Sequence, residues 1–562
     1  MYKNNSVLRR LGFAFGLLAA STLTAAAEKQ KPNFLLIVAD DLGYSDLGAF
    51  GGEIETPTLD ALADEGIRMT NFHTAPTCSP TRSMLLSGAD SHQAGIGNMA
   101  ELLTEEQRGK PGYEGHLNNL VATLPEVLRD NGYSTSIAGK WHLGRTEELS
   151  PAARGFDHSW VLVQGGASHF DDGRAIIGVD PKAIYLENGK QVEAPDGFYS
   201  SDFYADKTIE YIDAAGDKPF FTFLAFTAPH WPLQAPESYL KKYEGRYDEG
   251  YEAIRQQRLE KMKEMGLVGH SLSANVPFDE LPSWDELTNE QRQIEARKME
   301  VYAAMVDSMD DNIGRVMRHL ETTDELDNTV VLFISDNGAD GNSPEVLPRN
   351  EIWISEEYDN SLENMGRPDS YIWYGPQWGQ VSATPWPMWK AYPSQGGLLV
   401  PAIFSIPGET SESRINHEFF HVMDVMPTFL ELAGIELPQS PYNGRDIFEV
   451  QGVSMLEGLQ GRAREERVVG WELLGRAAVR KGDWKIRLLE PPHGPGQWEL
   501  FNLADDPSET KDLAQEKPKK LKDMLDEWEN YVTHNGVFPA NPADMRKVGY
   551  SFKTCLYGKC VE

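Results

Sequence analysis

Three stretches of this chain are almost uninterruptedly apolar and only as long as a strand: Asn33 to Ala39, Pro219 to Phe226 and Thr329 to Ser335. A run of that length with no polar face fits a strand covered on both sides, which calls for a parallel sheet with helices above and below. A fourth strand is expected over Tyr133 to Ala138. Each of the four is followed by residues of a different kind: Asp40-Asp41, Lys140 and His142, His230, and Asp336-Asn337. In a parallel sheet all strand carboxyl ends lie on one edge, where loops converge and helices begin with their positive ends inward. These four groups therefore predict one shared pocket. Two adjacent carboxylates after a buried strand repel unless a cation lies between them or they point apart, and a loop that merely caps the next helix is the plainer alternative.

The remaining pattern fills in an α/β architecture. Thr56-Pro57-Thr58 opens a helix with Leu59, Leu62 and Ala63 on one face and Gly66 as its stop, and a second helix runs from Thr123 to Gly132. Tyr302, Met305, Val306, Met309, Ile313, Val316, Met317 and Leu320 recur at spacings of three and four, a core-facing stripe in which the methionines need no functional reading. Residues 237 to 300 are rich in charge and read as solvated helices. Near the end, Arg476 to Arg480, Trp484 to Leu488 and Trp498 to Leu503 read as short strands of an antiparallel sheet, followed by an amphipathic helix near Leu521 to Tyr531. Two folded parts are expected, 28–460 and 461–562.

Residues 1–27 read as an export signal: Lys3, Arg9 and Arg10, an apolar segment from Leu11 to about Leu23, then Ala25-Ala26-Ala27. That segment is shorter than the ~20 residues a membrane span needs, and no later stretch is long enough. An uncleaved anchor is the alternative. The formal net charge of −34 becomes −37 without Lys3, Arg9 and Arg10, which argues against nucleic acid as a partner. An anionic substrate would then need a concentrated local cluster of positive charge. Of three cysteines, Cys555 and Cys560 are close enough to close a small loop in an oxidising compartment, which leaves Cys78 unpaired.

Cys78 sits in Cys78-Ser79-Pro80-Thr81-Arg82, with Pro80 suited to the first position of a helix closed by Gly88. A helix N-terminus with Arg82 one turn in stabilises an anion or a developing oxyanion. The cysteine is then either a simple nucleophile or a buried residue beside a cap. The spacing C-x-P-x-R resembles the sulfatase signature, with Ser87 where that signature usually has Thr, Ala or Arg. Gly132 to His142 resembles the second signature of the same family, and Glu53 to Gly66, Pro229 to Pro236 and Tyr374-Gly375-Pro376 extend the likeness over nearly all of the chain. It is closest to bacterial arylsulfatases of the alkaline phosphatase-like superfamily.

The resemblance implies a large α/β domain with a central mixed, mostly parallel sheet flanked by helices, plus a small C-terminal antiparallel sheet with a helix. It implies hydrolysis of sulfate monoesters, aryl sulfates first, in a bacterial periplasm or outside the cell. Cys78 would be converted by a formylglycine-generating enzyme to formylglycine, hydrated to a geminal diol with one hydroxyl on a single calcium ion. Asp40, Asp41, Asp336 and Asn337 would complete the metal site, and all-oxygen ligands suit calcium. Arg82 and Lys140 would orient the diol, Lys390 and His230 would hold the sulfate, His230 would protonate the leaving oxygen, and His142 would take the proton that expels sulfate. Trp141, Trp231 and His169 either line an aryl pocket or pack. A phosphonate monoester or phosphodiester hydrolase of the same superfamily is the competing enzyme reading. A calcium-binding exported protein without activity is the other, and the presence of Lys140, His142 and His230 argues against it.

Overall fold

The computed structural model describes residues 31–176, 182–274, 278–343, 348–408, 414–548, 551 and 553–561. The expected export signal lies outside them. From Pro32 onward the chain forms one compact unit. Its central sheet has ten strands, which run across it as Arg414–Asn416, Ile67–Met69, Ala402–Ser405, Thr329–Ser335, Asn33–Ala39, Phe220–Ala225, Ser134–Lys140, His158–Leu162, Tyr185–Glu187 and Lys190–Val192. The five from Thr329–Ser335 to His158–Leu162 are parallel, and antiparallel pairings flank them on both sides. The mixed sheet expected from the sequence is the one found.

The uninterrupted apolar runs are explained by double coverage. Along Asn33–Ala39, Leu35, Ile37 and Ala39 join the core beneath the helix Asn289–Thr322, while Phe34, Leu36 and Val38 join the opposite core with Phe429. The rings of Phe34 and Phe429 stack at 4.7 Å. Every residue of the strand is buried. The long helix is opened by a capping box of Thr288 and Gln291 and presents the predicted stripe to the sheet. One expectation needs correction here. Within 237–300 Arg258 is buried rather than solvated, with its guanidinium 2.6 Å from Asp46 and 2.7 Å from Glu53, so its helix is tied to the loop after the first strand.

The C-terminal sheet has four consecutive antiparallel strands, Val468–Leu473, Arg476–Lys481, Trp484–Leu488 and Glu499–Asn502, and the helix Pro518–Asn535 packs Met524 and Tyr531 onto Val479, Ile486 and Leu500. Its first strand escaped the sequence reading although Val469, Trp471 and Leu473 alternate with Gly470 and Glu472, because a glycine inside a strand weakens the signal. Glu472 has a partner in the large sheet's layer: His92 lies between Asp90, 2.8 Å from Nδ1, and Glu472, 3.6 Å from Nε2. Cys555 and Cys560 form a disulfide, as the spacing anticipated.

Burial alone would keep the His92 imidazole neutral, but Asp90 and Glu472 outweigh it and raise its pKa to about 9. A pKa raised from 6.5 by two carboxylates favours the folded state by on the order of 3 kcal/mol below the unfolded value, and this contribution disappears as pH rises through the folded one. The stability gap between the native protein and His92→Gln, measured by chemical denaturation, is therefore expected to be full at pH 6 and to shrink as pH rises through 9. A gap independent of pH would contradict a charged His92.

Candidate active site

The parallel strands deliver their polar ends to one place. Asp40 follows Asn33–Ala39, Lys140 ends Ser134–Lys140, His230 lies beyond Phe220–Ala225, and Asp336-Asn337 follows Thr329–Ser335. Lys140 Nζ donates to Asp40 at 2.6 Å, and Arg82 Nε donates to Asp336 at 2.9 Å while its Nη1 donates to the Lys140 carbonyl at the same distance. Lys390 Nζ is 2.8 Å from Asp41, and His230 Nε2 is 3.5 Å from Asp41. Cys78 Sγ lies 3.5 Å from Asp40. His142 stands 3.1 Å from Glu101. All six side chains expected to handle substrate and all four expected oxygen ligands are buried.

Local chemistry explains how each is presented. The helix Cys78–Ser87 begins at Cys78 itself, after an extended Thr77, so Pro80 occupies the third helical position rather than the first. The missing N–H costs nothing there, because the opening N–H groups of a helix have no internal acceptor. Gly88 closes the helix in the left-handed conformation. Gly139 in the second motif must be glycine: at φ 119° a Cβ would meet the Ala225 carbonyl oxygen of the neighbouring strand at 1.8 Å. Lys390 lies between two left-handed non-glycine residues, Met388 and Ala391. That strained segment is held from outside, since Lys390 N donates to Ala339 O, Ala391 N donates to Pro76 O in the cysteine loop, and Ala391 O accepts from Arg476 of the C-terminal sheet at 2.8 Å.

Burial pushes both adjacent carboxyls up, Asp40 to about 6 and Asp41 well above the carboxylate range, although Lys140 and Lys390 pull against it. At Asp336 burial also raises the pKa, and Arg82, Lys140 and Lys390 outweigh it and bring it below the ordinary value. Burial and then the negative charge of Asp336 drive the Cys78 thiol well above its usual range. A thiolate is disfavoured there despite the helix end. Burial lowers both histidines, His230 further because Lys390 and Lys140 add to it.

Asp40, Asp41, Asp336 and Cys78 each place a ligand atom within 4.8 Å of the others. Asn337 donates through Nδ2 to Asp41, which leaves its buried Oδ1 without a hydrogen-bond partner. An orphaned carbonyl oxygen beside three buried carboxyl groups fits a hard cation, and the donor set is oxygen except for the cysteine sulfur. Several neighbours were not legible in sequence. Asp340 lies 3.4 Å from Lys390 and accepts from Trp231 Nε1 at 2.9 Å. His169 bonds Ser200 Oγ and the His230 carbonyl, so it supports His230 from behind, and Trp141 is fully buried with its Nε1 donating to Leu149 O. Of the three expected wall residues only Trp231 is half-exposed, with its ring 4.8 Å from that of His230.

A doubly covered, mostly parallel sheet with a charge-rich site at its carboxyl edge and a small antiparallel sheet behind it is the alkaline phosphatase-like architecture of sulfatases. The crystal structure of Ps i-CgsB in complex with k-i-k-neocarrahexaose shares the fold, with a TM-score of 0.65 at 23% identity over 93% of this chain and 98% of that one. Residues 32–435 match the sulfatase family. An uncharacterized sulfatase of Schizosaccharomyces pombe is 44% identical over 532 residues, 92% of this chain and 96% of that protein. An arylsulfatase of Klebsiella aerogenes is 40% identical over 437 residues, 76% and 92% of the two chains. The chain belongs to the sulfatase family.

Titrating chelator-treated protein with calcium is expected to raise its melting temperature, since a ligand at 100 times its dissociation constant stabilises a fold by about 2.7 kcal/mol. Asp336→Ala should abolish the rise while remaining folded. An undiminished rise in that variant would place the cation elsewhere.

Proposed function

We propose that this sulfatase hydrolyses sulfate monoesters, aryl sulfates foremost, with a formylglycine at position 78 as nucleophile and one calcium ion as cofactor. The observation that carries the reading is Cys78 itself, an unpaired cysteine at the first position of a buried helix, 3.5 Å from Asp40 and grouped with Asp41 and Asp336, with Arg82, Lys140 and Lys390 bound to those carboxylates. Burial and Asp336 make its thiol costly to ionise and so a poor thiolate nucleophile. Oxidation of its CH2–SH to an aldehyde, with loss of the sulfur and with the oxidant supplied by a formylglycine-generating enzyme, gives a hydrate whose hydroxyl attacks instead. The 40% identical arylsulfatase supports the aryl preference. The oxidised Cys555–Cys560 pair supports an exported protein.

Lys390 and His230, both beside Asp41, would grip the sulfate group. An anion held between them favours the imidazolium of His230, against the burial that otherwise keeps it neutral. One diol hydroxyl would give up its proton to the neighbouring Asp40 carboxylate, which lies 3.5 Å from Cys78 Sγ, and its oxygen bonds to sulfur as the ester S–O bond breaks, while the imidazolium gives its proton to the departing alcohol oxygen. His142, neutral through burial, removes the proton of the second hydroxyl. The C–O bond to the sulfate breaks, inorganic sulfate leaves, and water rehydrates the restored aldehyde. Calcium held by Asp40, Asp41, Asp336 and Asn337 would supply positive charge to the developing anion. Arg82 and Lys140 orient the nucleophile and contribute to the same field.

The test compares esters with good and poor leaving groups. General acid catalysis contributes roughly 10²–10⁴-fold, most where the leaving alcohol is least stable as an anion. His230→Ala is therefore expected to lose more sulfate release on an alkyl or sugar sulfate than on nitrophenyl sulfate. Equal losses would reduce His230 to a binding group, and a faster rate on the matched phosphate esters than on the sulfates would overturn the substrate class.

A further inference from the structure

The hydrogen bonding around His142 is asymmetric, and its pattern assigns a role to Glu101. His142 has φ 57°, a left-handed conformation at a non-glycine residue, so its backbone is set by its surroundings. Nε2 lies 3.1 Å from Glu101 Oε1, whereas Nδ1 is buried with no hydrogen-bond partner. Burial works against ionisation of Glu101, but the contact with His142, the backbone N–H of Glu101 and the nearby Arg145 hold its carboxyl below the ordinary range, so it is ionised. An ionised carboxylate only accepts, so the hydrogen of a neutral imidazole must reside on Nε2. The lone pair is then on Nδ1.

A second contact holds the ring in this place. Gly165, just beyond the strand His158–Leu162, approaches so closely that a Cβ there would lie 2.8 Å from His142 Cε1, 3.1 Å from Nε2 and 3.5 Å from Glu101 Oε1. The charged groups that act on the imidazole are Glu101 from the turn Ala100–Leu102, Lys140 from its own strand end and Arg82 from the cysteine helix. Of these only Glu101 accepts a hydrogen bond from it.

We propose that Glu101 is a positioning residue for hydrolysis: it accepts the Nε2–H of His142, fixes that tautomer and so makes Nδ1 the nitrogen that takes the proton when sulfate is expelled. This rests on the reading of His142 as the base. The carboxylate takes no proton itself; it also favours the imidazolium formed in that step, as a carboxylate behind a catalytic histidine does.

The test uses the calcium-loaded, formylglycine-containing enzyme and measures sulfate release as a function of pH for Glu101→Gln, Glu101→Asp and His142→Ala. Gln keeps the shape but loses the charge, and its amide NH2 can hold the opposite tautomer. It is expected to lower kcat by about 10²-fold with KM little changed, and to move the acid limb of kcat/KM to lower pH, because a carboxylate that raised the imidazole pKa is gone. Asp, which only accepts, should retain more activity than Gln. A Glu101→Gln enzyme with native kcat and an unmoved acid limb, or one at least as active as the Asp variant, overturns the role of Glu101 and leaves His142 as base intact if His142→Ala is inactive. Full turnover by His142→Ala overturns both.

Discussion

Three carboxyl groups buried at the ends of two neighbouring strands are the constraint on which the rest of this molecule depends. Asp40, Asp41 and Asp336 are almost wholly removed from solvent and within a few ångströms of one another. Each such charge carries a desolvation penalty of several kcal/mol unless opposite charge and hydrogen bonds surround it. Arg82, Lys140 and Lys390 supply that charge from three separate parts of the chain, and the orphaned Asn337 oxygen marks room for a cation besides. With Asp340 beside Lys390 as well, the three cations are matched by carboxyl groups, so the positive field that an anionic ester requires depends on a cation held at the same place. Holding such groups ready in a water-poor site is what gives preorganised electrostatics its effect on rate.

The sheet makes this assembly affordable in conformational terms, because parallel strands fix their ends relative to one another through backbone pairing rather than through the site. Lys390 is the exception. It arrives on a loop with left-handed residues on either side, and that loop is tied to the cysteine loop through Pro76 and to the C-terminal sheet through Arg476, whose guanidinium stacks 3.7 Å from the Tyr392 ring. Lys485 and Arg487 of the same sheet hold Gln395 and Ser394. The small sheet holds the segment that carries Lys390.

What was legible in the sequence is what is local. A strand covered on both faces has to be apolar throughout, so its polar end stands out, and Asp40, Lys140, His230 and Asp336 could be read off one after another. Cys78 and Arg82 lie one helical turn apart. The partners that tune them left no such mark. Glu101, Asp340, Glu472 and Arg476 pair with residues tens to hundreds of positions away, in segments with no period to flag them, and each looks like an ordinary surface charge until the chain is folded. Arg258 was misread for that reason: a charge-rich helix conceals one buried guanidinium among many exposed ones. The missed strand Val468–Leu473 shows the same effect, because its buried glutamate is explained by His92, Gly475 N and Ala540 N, the first far away in sequence.

The central claim is that residue 78 is not a thiol in the working enzyme. The most direct measurement is the mass and reactivity of the peptide containing residue 78, taken from protein whose sulfatase turnover has been measured on the same sample. The account predicts a peptide lighter by the exchange of a thiol for a carbonyl oxygen, reactive toward hydrazides and inert to thiol alkylators, in proportion to activity. Fully active protein carrying an intact, alkylatable Cys78 would contradict it.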